Sequence, residues 1–240
     1  MLLTKGADCR LAPRYARILM TSPPLRSQTV SVVVLGSFNP RIFEPLWLAG
    51  QGLVPEDEAN AAERELIDKE FARIVFPWAN VVVVGDRLQV ESTGEIVSHS
   101  QVRDLVVGIL RVLPHTPVTV VSIQHGAHAE LASEEQWHKV GHTLAPKEIW
   151  QDILDRPGIL DFAMQGVRPD DLTGSIRVRI QPSGLVHPGL FINVNDEFFM
   201  NDQRESEPAR HGADLLEQTW PEAESRVDRI RGSLFERLID

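Results

Sequence analysis

The residues best suited to chemistry gather in one stretch, Trp137 to Pro146 (Trp-His-Lys-Val-Gly-His-Thr-Leu-Ala-Pro). His138 and His142 are four apart, so on a helix both imidazoles would face one metal ion. His125 or His128, at the end of the preceding strand, would supply a third ligand. The stretch lacks the glutamate that makes His-Glu-x-x-His persuasive, and Gly141 weakens the helix between the two histidines. The competing reading is a pair of exposed helix histidines beside a packed Trp137. A small-molecule or metal-dependent enzyme using His125, His128, His138 and His142 is one alternative the chain offers.

A second set lies on strands. In Ser175 to Gln181, Arg177 and Arg179 alternate with Ile176, Val178 and Ile180. Arg87 alternates with Leu88 and Val90 nearby, and Asn193 and Asn195 alternate with Ile192 and Val194. Period-2 alternation puts Arg87, Arg177, Arg179, Asn193 and Asn195 on the open face of a half-buried sheet. That face would hold a small anionic ligand, an acidic peptide or an RNA segment. No aromatic residues interleave with the arginines, and the formal net charge is −10, both of which weigh against nucleic acid. Gly-x-Ser-x-Gly, a Walker loop and a dinucleotide glycine fingerprint are all absent. The carboxylate clusters Glu56-Asp57-Glu58 and Asp170-Asp171 read as a helix cap and a turn. No catalytic residue and no cofactor is assigned.

These groups need elements to hold them. Thr29 to Ser37 and Val118 to His125 read as buried β-branched strands. Helices are expected over 42–49, 55–70 and 98–113, the last ended by Pro114. Phe71 to Phe76, Val81 to Val84 and Arg87 to Glu91 read as strands, the last two joined at Gly85-Asp86. Ser133 with Gln136 forms a capping-box pattern before the helix carrying Trp137, Val140 and Leu144. Another helix is expected from Pro146 to about Pro157. Strands follow at Phe162 to Val167, Ser175 to Gln181 and Leu190 to Met200. A long helix ending at Leu238 shows an apolar stripe of Leu216, Trp220, Ala223, Val227, Ile230, Leu234 and Leu238, with a break or kink at Pro221. Trp47, Trp137, Trp150 and Trp220 fall at apolar helix positions and are expected to anchor packing on the sheet.

The 240 residues suffice for one large domain or two small ones sharing a core. The single cysteine, Cys9, excludes an intramolecular disulfide and a cysteine zinc cluster, and fits a reducing cytoplasmic setting. The apolar runs are too short to span a bilayer, so no membrane role is expected. Residues 1–28 read as a disordered leader, with Met20 an alternative start.

An internal repeat organises the rest. A shift of 91 positions carries Gly50 onto Gly141, Leu53 onto Leu144, Pro55 onto Pro146, Phe71 onto Phe162 and Ala72 onto Ala163. The expected elements align with it: strand, helices, three strands, long helix, twice. The expected fold class is α+β: two pseudo-repeats, 29–116 and 117–240, each a curved, mostly antiparallel sheet with helices packed on one face. This order resembles the duplicated fold of the TATA-box-binding protein, in architecture alone; fold does not carry function. The function expected is a non-catalytic binding or interaction module, engaging a protein partner or a second copy of itself. His138 and His142 have no counterparts in the first copy, so any function of that stretch lies in what the second copy adds.

Overall fold

The computed structural model describes residues 22–67, 70–93, 98–200 and 206–239. Most of the expected leader, with Cys9 and Met20, lies outside them. Nine strands form one antiparallel sheet: β1 (Leu25–Gly36), β2 (Glu63–Ile67), β3 (Phe71–Val75), β4 (Ala79–Val84), β5 (Arg87–Ser92), β6 (Val118–Glu130), β7 (Phe162–Val167), β8 (Gly174–Pro182) and β9 (Gly189–Phe199). The helices are α1 (Pro45–Gly50), α2 (Glu56–Ala61), α3 (Ser98–Val112), α4 (Glu134–Leu144) and α5 (Pro208–Leu238).

The strand order is β2-β3-β4-β5-β1-β6-β9-β8-β7. β1 and β6 pair antiparallel at the centre, over Leu25↔Ala129 to Gly36↔Val118. Outward from β1 run β5, β4 and β3; outward from β6 run β9, β8 and β7. Each hairpin thus returns the chain to the central pair, and α3 and α5 then pack together across the sheet.

Side-chain alternation decides which face the helices cover. Val30, Val32 and Val34 of β1, Val81 and Val83 of β4, Leu88 and Val90 of β5, and Val121 and Ile123 of β6 are all buried on the helix side. They meet Val102, Leu105, Val106, Ile109 and Leu110 of α3 and Leu216, Trp220 and Ala223 of α5 in one core cluster of 31 buried residues. A second cluster of nine lies under the last turns of α5, where Phe235 and Leu238 join Val140, Ile180, Leu190 and Ile192. The second half of the sheet is therefore much more thinly covered.

Three sequence expectations need correction. The helix expected over 55–70 ends at Ala61, and Glu63–Ile67 joins the sheet as its edge strand β2. Glu-Arg-Glu-Leu-Ile is a fair helix former, but the free edge of β3 supplies the stronger template. The helix expected after Pro146 shrinks to a 3-10 turn at Glu148–Trp150. Ile149, Trp150, Ile153 and Leu154 are exposed, so no buried face holds a helix there, and Asp152 and Arg156 adopt positive φ. Thirdly, α5 runs unbroken through Pro221, and its buried face keeps Leu216, Trp220, Ala223, Val227 and Leu238 of the expected stripe but takes Arg226, Arg231 and Phe235 in place of Ile230 and Leu234. It passes from Trp220 and Ala223 through Arg226, Val227 and Arg231 to Phe235.

The two arginines bridge the gap between the core clusters. Arg226 and Arg168, the latter just beyond β7, both bond the carboxylate of Asp196 on β9, whose side chain is 1% exposed. Asp170 accepts from Arg168 Nη2 at 2.7 Å and from Arg226 Nη2 at 2.9 Å, closing a ring of two cations and two anions. The Arg168 hydrogen bond, ahead of its charge, holds the Asp170 carboxyl below the ordinary range. The Arg168 guanidinium also lies over Phe198, 3.9 Å from the ring centre.

Removing the Asp196 charge leaves the buried Arg168 and Arg226 guanidiniums with only the part-exposed Asp170 to face. Asp196→Asn is expected to cost about 3–5 kcal/mol, read as a lower urea midpoint at unchanged slope. Replacing Arg168, Asp196 and Arg226 together by Met, Leu and Met is expected to recover most of that loss. A single variant as stable as the parent contradicts the assignment.

Candidate functional site

The open face of the sheet carries the expected polar side chains, but not as one site. A row in register crosses it from Asn80 through Glu91, Ser31, Gln124 and Asn195 to Arg177 and Gln165. Arg177 and Arg179 stand opposite Asn195 and Asn193, so these four are neighbours. Arg87 is not: it sits on β5, with β1, β6 and β9 between, and opposite Leu35 near the far end of its strand. At about 4.8 Å per strand the lateral gap alone is about 19 Å.

The row is satisfied from within only toward β8 and β9; at its other end Ser31 Oγ and Asn80 Oδ1 are buried without a partner. Ser122 Oγ donates to Asn195 Oδ1 at 2.5 Å, and Asn195 Nδ2 donates to Glu197 Oε1 at 3.0 Å. Arg177 approaches Glu197 at 3.5 Å and donates to Gln165 Oε1 at 3.1 Å, while Arg179 pairs with Asp161 at 2.8 Å. Burial raises the Glu91 carboxyl. The face thus offers an anion two arginines whose charge Glu197 and Asp161 already balance.

The four histidines do not come together. His125 and His128 lie on opposite faces of β6 because they are three positions apart, an odd offset on a strand. His128 packs on Phe191 with ring centres 4.8 Å apart and shares a 2.8 Å hydrogen bond, through Nδ1, with Ser183 Oγ. His125 points under α5, 6.1 Å from the Trp220 ring and 6.4 Å from the His99 ring. His138 and His142 line a separate pocket. Among the described residues no three His, Cys, Asp or Glu side chains are grouped to share a metal ion.

His125 belongs to a polar cavity of about 220 Å³ lined by Gln28, His99, Glu224, Asp228 and Arg231. It is 5% exposed, and neither of its ring nitrogens has a partner. Arg231 donates to the His125 carbonyl at 3.1 Å and to Gln28 Oε1 at 3.3 Å, and its Nε has no partner. His99 Nε2 is likewise buried and unpartnered. The volume suits a few waters bridging these groups. Sequence reading missed this cluster because Gln28, His99, His125 and Arg231 are far apart in the chain and match no spacing rule.

The pocket holding His138 and His142 measures about 480 Å³, within the usual range for small-molecule sites. Its walls are Trp137, Val140 and Leu144 of α4, Ile180 of β8, Leu190 of β9 and the segment 156–159. α4 is positioned by its cap: Ser133 Oγ accepts from Gln136 N at 3.2 Å, and Gln136 Oε1 accepts from Ala132 N at 3.0 Å. Val140 then anchors the helix on the second core cluster. Trp137 packs edge-on against His138 and His187.

Outside this pocket the same region is exposed and apolar. Eight of the thirteen exposed large hydrophobic residues fall between Ile149 and Leu172, among them Leu160 at 85%, Met164 at 60% and Val167 at 90%. Among the described residues β7 pairs only with β8, and none pairs with its outer edge.

No helix among the described residues is long and apolar enough to cross a membrane. No protein-family model matches the chain, and neither does any curated protein.

Burial first, then the charges of Arg231 and His99, push the His125 imidazole down to about 3. Its folded pKa lies below the unfolded 6.5, so the unfolded chain binds a proton that the folded chain refuses. Stability from this group is complete above about pH 6.5 and is lost as pH falls toward about 3. His99, lowered by burial with Glu224 opposing, adds in the same direction. The facing groups are His99 from α3 and Glu224, Asp228 and Arg231 from α5. His125→Leu is expected to flatten the fall in urea midpoint between pH 7 and 4, by up to a few kcal/mol at the acid end. Parallel profiles for the two proteins contradict it.

Proposed function

We propose that the protein is a non-catalytic interaction module that associates with a second copy of itself by strand addition at β7. The observation that carries this is an edge strand, Phe-Ala-Met-Gln-Gly-Val, with no charge, no proline and a nearly naked apolar surface. Free edges normally carry charges or bulges that refuse another strand. The opposite edge obeys that rule: β2 reads Glu-Arg-Glu-Leu-Ile, with a register shift between Arg64 and Leu66. β7 has neither device.

A second copy is the occupant that asks least. Antiparallel pairing of β7 with its own symmetry mate is isologous, and extends the sheet without a crossover. Leu160, Met164 and Val167, on and just before β7, put exposed apolar surface beside the new pair. A patch of this kind on a chain that stays monomeric is uncommon. Ring-closing chemistry is not required, and the polar row of the open face is left free.

The duplicated, TATA-box-binding-protein-like architecture is part of the same proposal. Its support is the order of strands outward from the β1–β6 pair, the same in each half. The 91-residue shift also carries the first residue of β3 onto the first residue of β7. Under this reading β3 is covered by β2, whereas its counterpart β7 lacks such a strand and is left to a partner. A reducing, cytoplasmic setting goes with a single cysteine.

Light scattering across a concentration series tests the association. The parent chain is expected to form a dimer. Met164→Lys with Val167→Lys, both at exposed positions, is expected to weaken it by roughly tenfold or more while leaving the urea midpoint unchanged. A parent chain that is monomeric throughout, or a double variant that dimerises as well as the parent, contradicts the reading.

A further inference from the structure

The pocket beside α4 shows a separate pattern. Its floor and walls are apolar, and its charged or chargeable lining residues are all basic: Lys147, Arg156, His138 and His142. No aspartate or glutamate lines it, in a chain whose net charge is −10. Asp155 pairs with Arg156 at 3.4 Å, but both side chains are about nine-tenths exposed, so water screens that pair strongly.

A second observation points the same way. Gly141 lies in the interior of α4, where glycine costs helix stability relative to alanine. Its φ is not positive, and a Cβ added there meets no atom within 4 Å. Neither backbone conformation nor close packing calls for glycine. What its missing side chain leaves open is the pocket, which Gly141 lines between His138 and His142. Arg156, another lining residue, is held at φ 49, a conformation costly for a residue with a side chain. Both departures from local preference fall on the lining of one pocket.

We infer that this pocket binds a small amphiphilic anion: an apolar body of about ten carbons, set against Trp137, Val140, Leu144, Ile180 and Leu190, ending in one carboxylate held at the basic rim. The volume of about 480 Å³ accommodates such a body with room for the head group. Lys147 and Arg156 supply the fixed positive charge, and His138 and His142 supply ring N–H donors. Apolar contact provides most of the affinity, and the rim provides the choice of an anion over a neutral chain. The inference stands apart from strand addition, since the pocket is walled by α4, β8 and β9, and the free edge of β7 takes no part in it.

Calorimetric titration with decanoate tests it, with decanol as the neutral match. Decanoate is expected to bind one to one with a Kd on the order of 10–100 μM. Gly141→Leu, which fills open space and raises helix propensity, is expected to abolish binding without lowering the urea midpoint. Lys147→Glu with Arg156→Glu is expected to weaken decanoate by roughly tenfold or more and to leave decanol unchanged. The inference is overturned if decanoate fails to bind, if Gly141→Leu binds it as tightly as the parent, or if decanol and decanoate bind the parent equally well. The association of the parent chain with itself is measured apart from these titrations, so either proposal can fail alone.

Discussion

A buried ring of charge under α5 divides the interior of this protein in two. Arg226 reaches down from the helix to Asp196 on the sheet, and Arg168 reaches across from the far edge to the same carboxylate. Taking such groups out of water costs several kcal/mol per ion unless each is fully paired. Here each charge faces an opposite one, although Arg226 Nε is buried without a partner, and the ring fixes where α5 can lie over β9. That placement sets which residues of the helix are buried on either side. Above the ring lie Leu216, Trp220 and Ala223 in the large core; below it lie Phe235 and Leu238 in the small one.

The division explains why the features that suggest function collect in the second half. The first half has α3 laid along β1 and β5, with α1 and α2 beside it. The second half has only the end of α5 and the short α4. Ile176 and Val178 of β8 remain half-buried, and nearly all of β7 is exposed. Thin cover leaves a pocket beside α4 and an unprotected strand at the edge. Between the two cores, the Arg231–His125 cavity keeps several buried nitrogens unpartnered, and burial of His125 there lowers its pKa.

Much of this was legible in the sequence because local pattern and tertiary structure agree there. Strand alternation placed the Arg and Asn side chains on the correct face, and Ser133 with Gln136 marked the start of α4. The failures have specific causes. Periodicity put Ile230 and Leu234 on the buried face of α5, whereas the chain buries Arg226 and Arg231, because partners distant in sequence neutralise or bond them. β2 was hidden because its residues favour a helix and the pull of a sheet edge is not written locally. The histidine pair at His138 and His142 suggested a metal. The neighbouring Gly141 lines the pocket beside them, and a Cβ there meets no atom within 4 Å.

The central claim is that one continuous sheet carries two cores of unequal strength. Native-state hydrogen exchange, followed residue by residue, tests it most directly. The account predicts that amides of β1, β4, β5 and β6 exchange only through global unfolding. Those of β7, β8 and α4 are predicted to exchange through a smaller opening of lower free energy, with the boundary near Asp196. Uniform protection across all these elements, with one opening energy from β4 to β8, would contradict the division and the placement of function that follows from it.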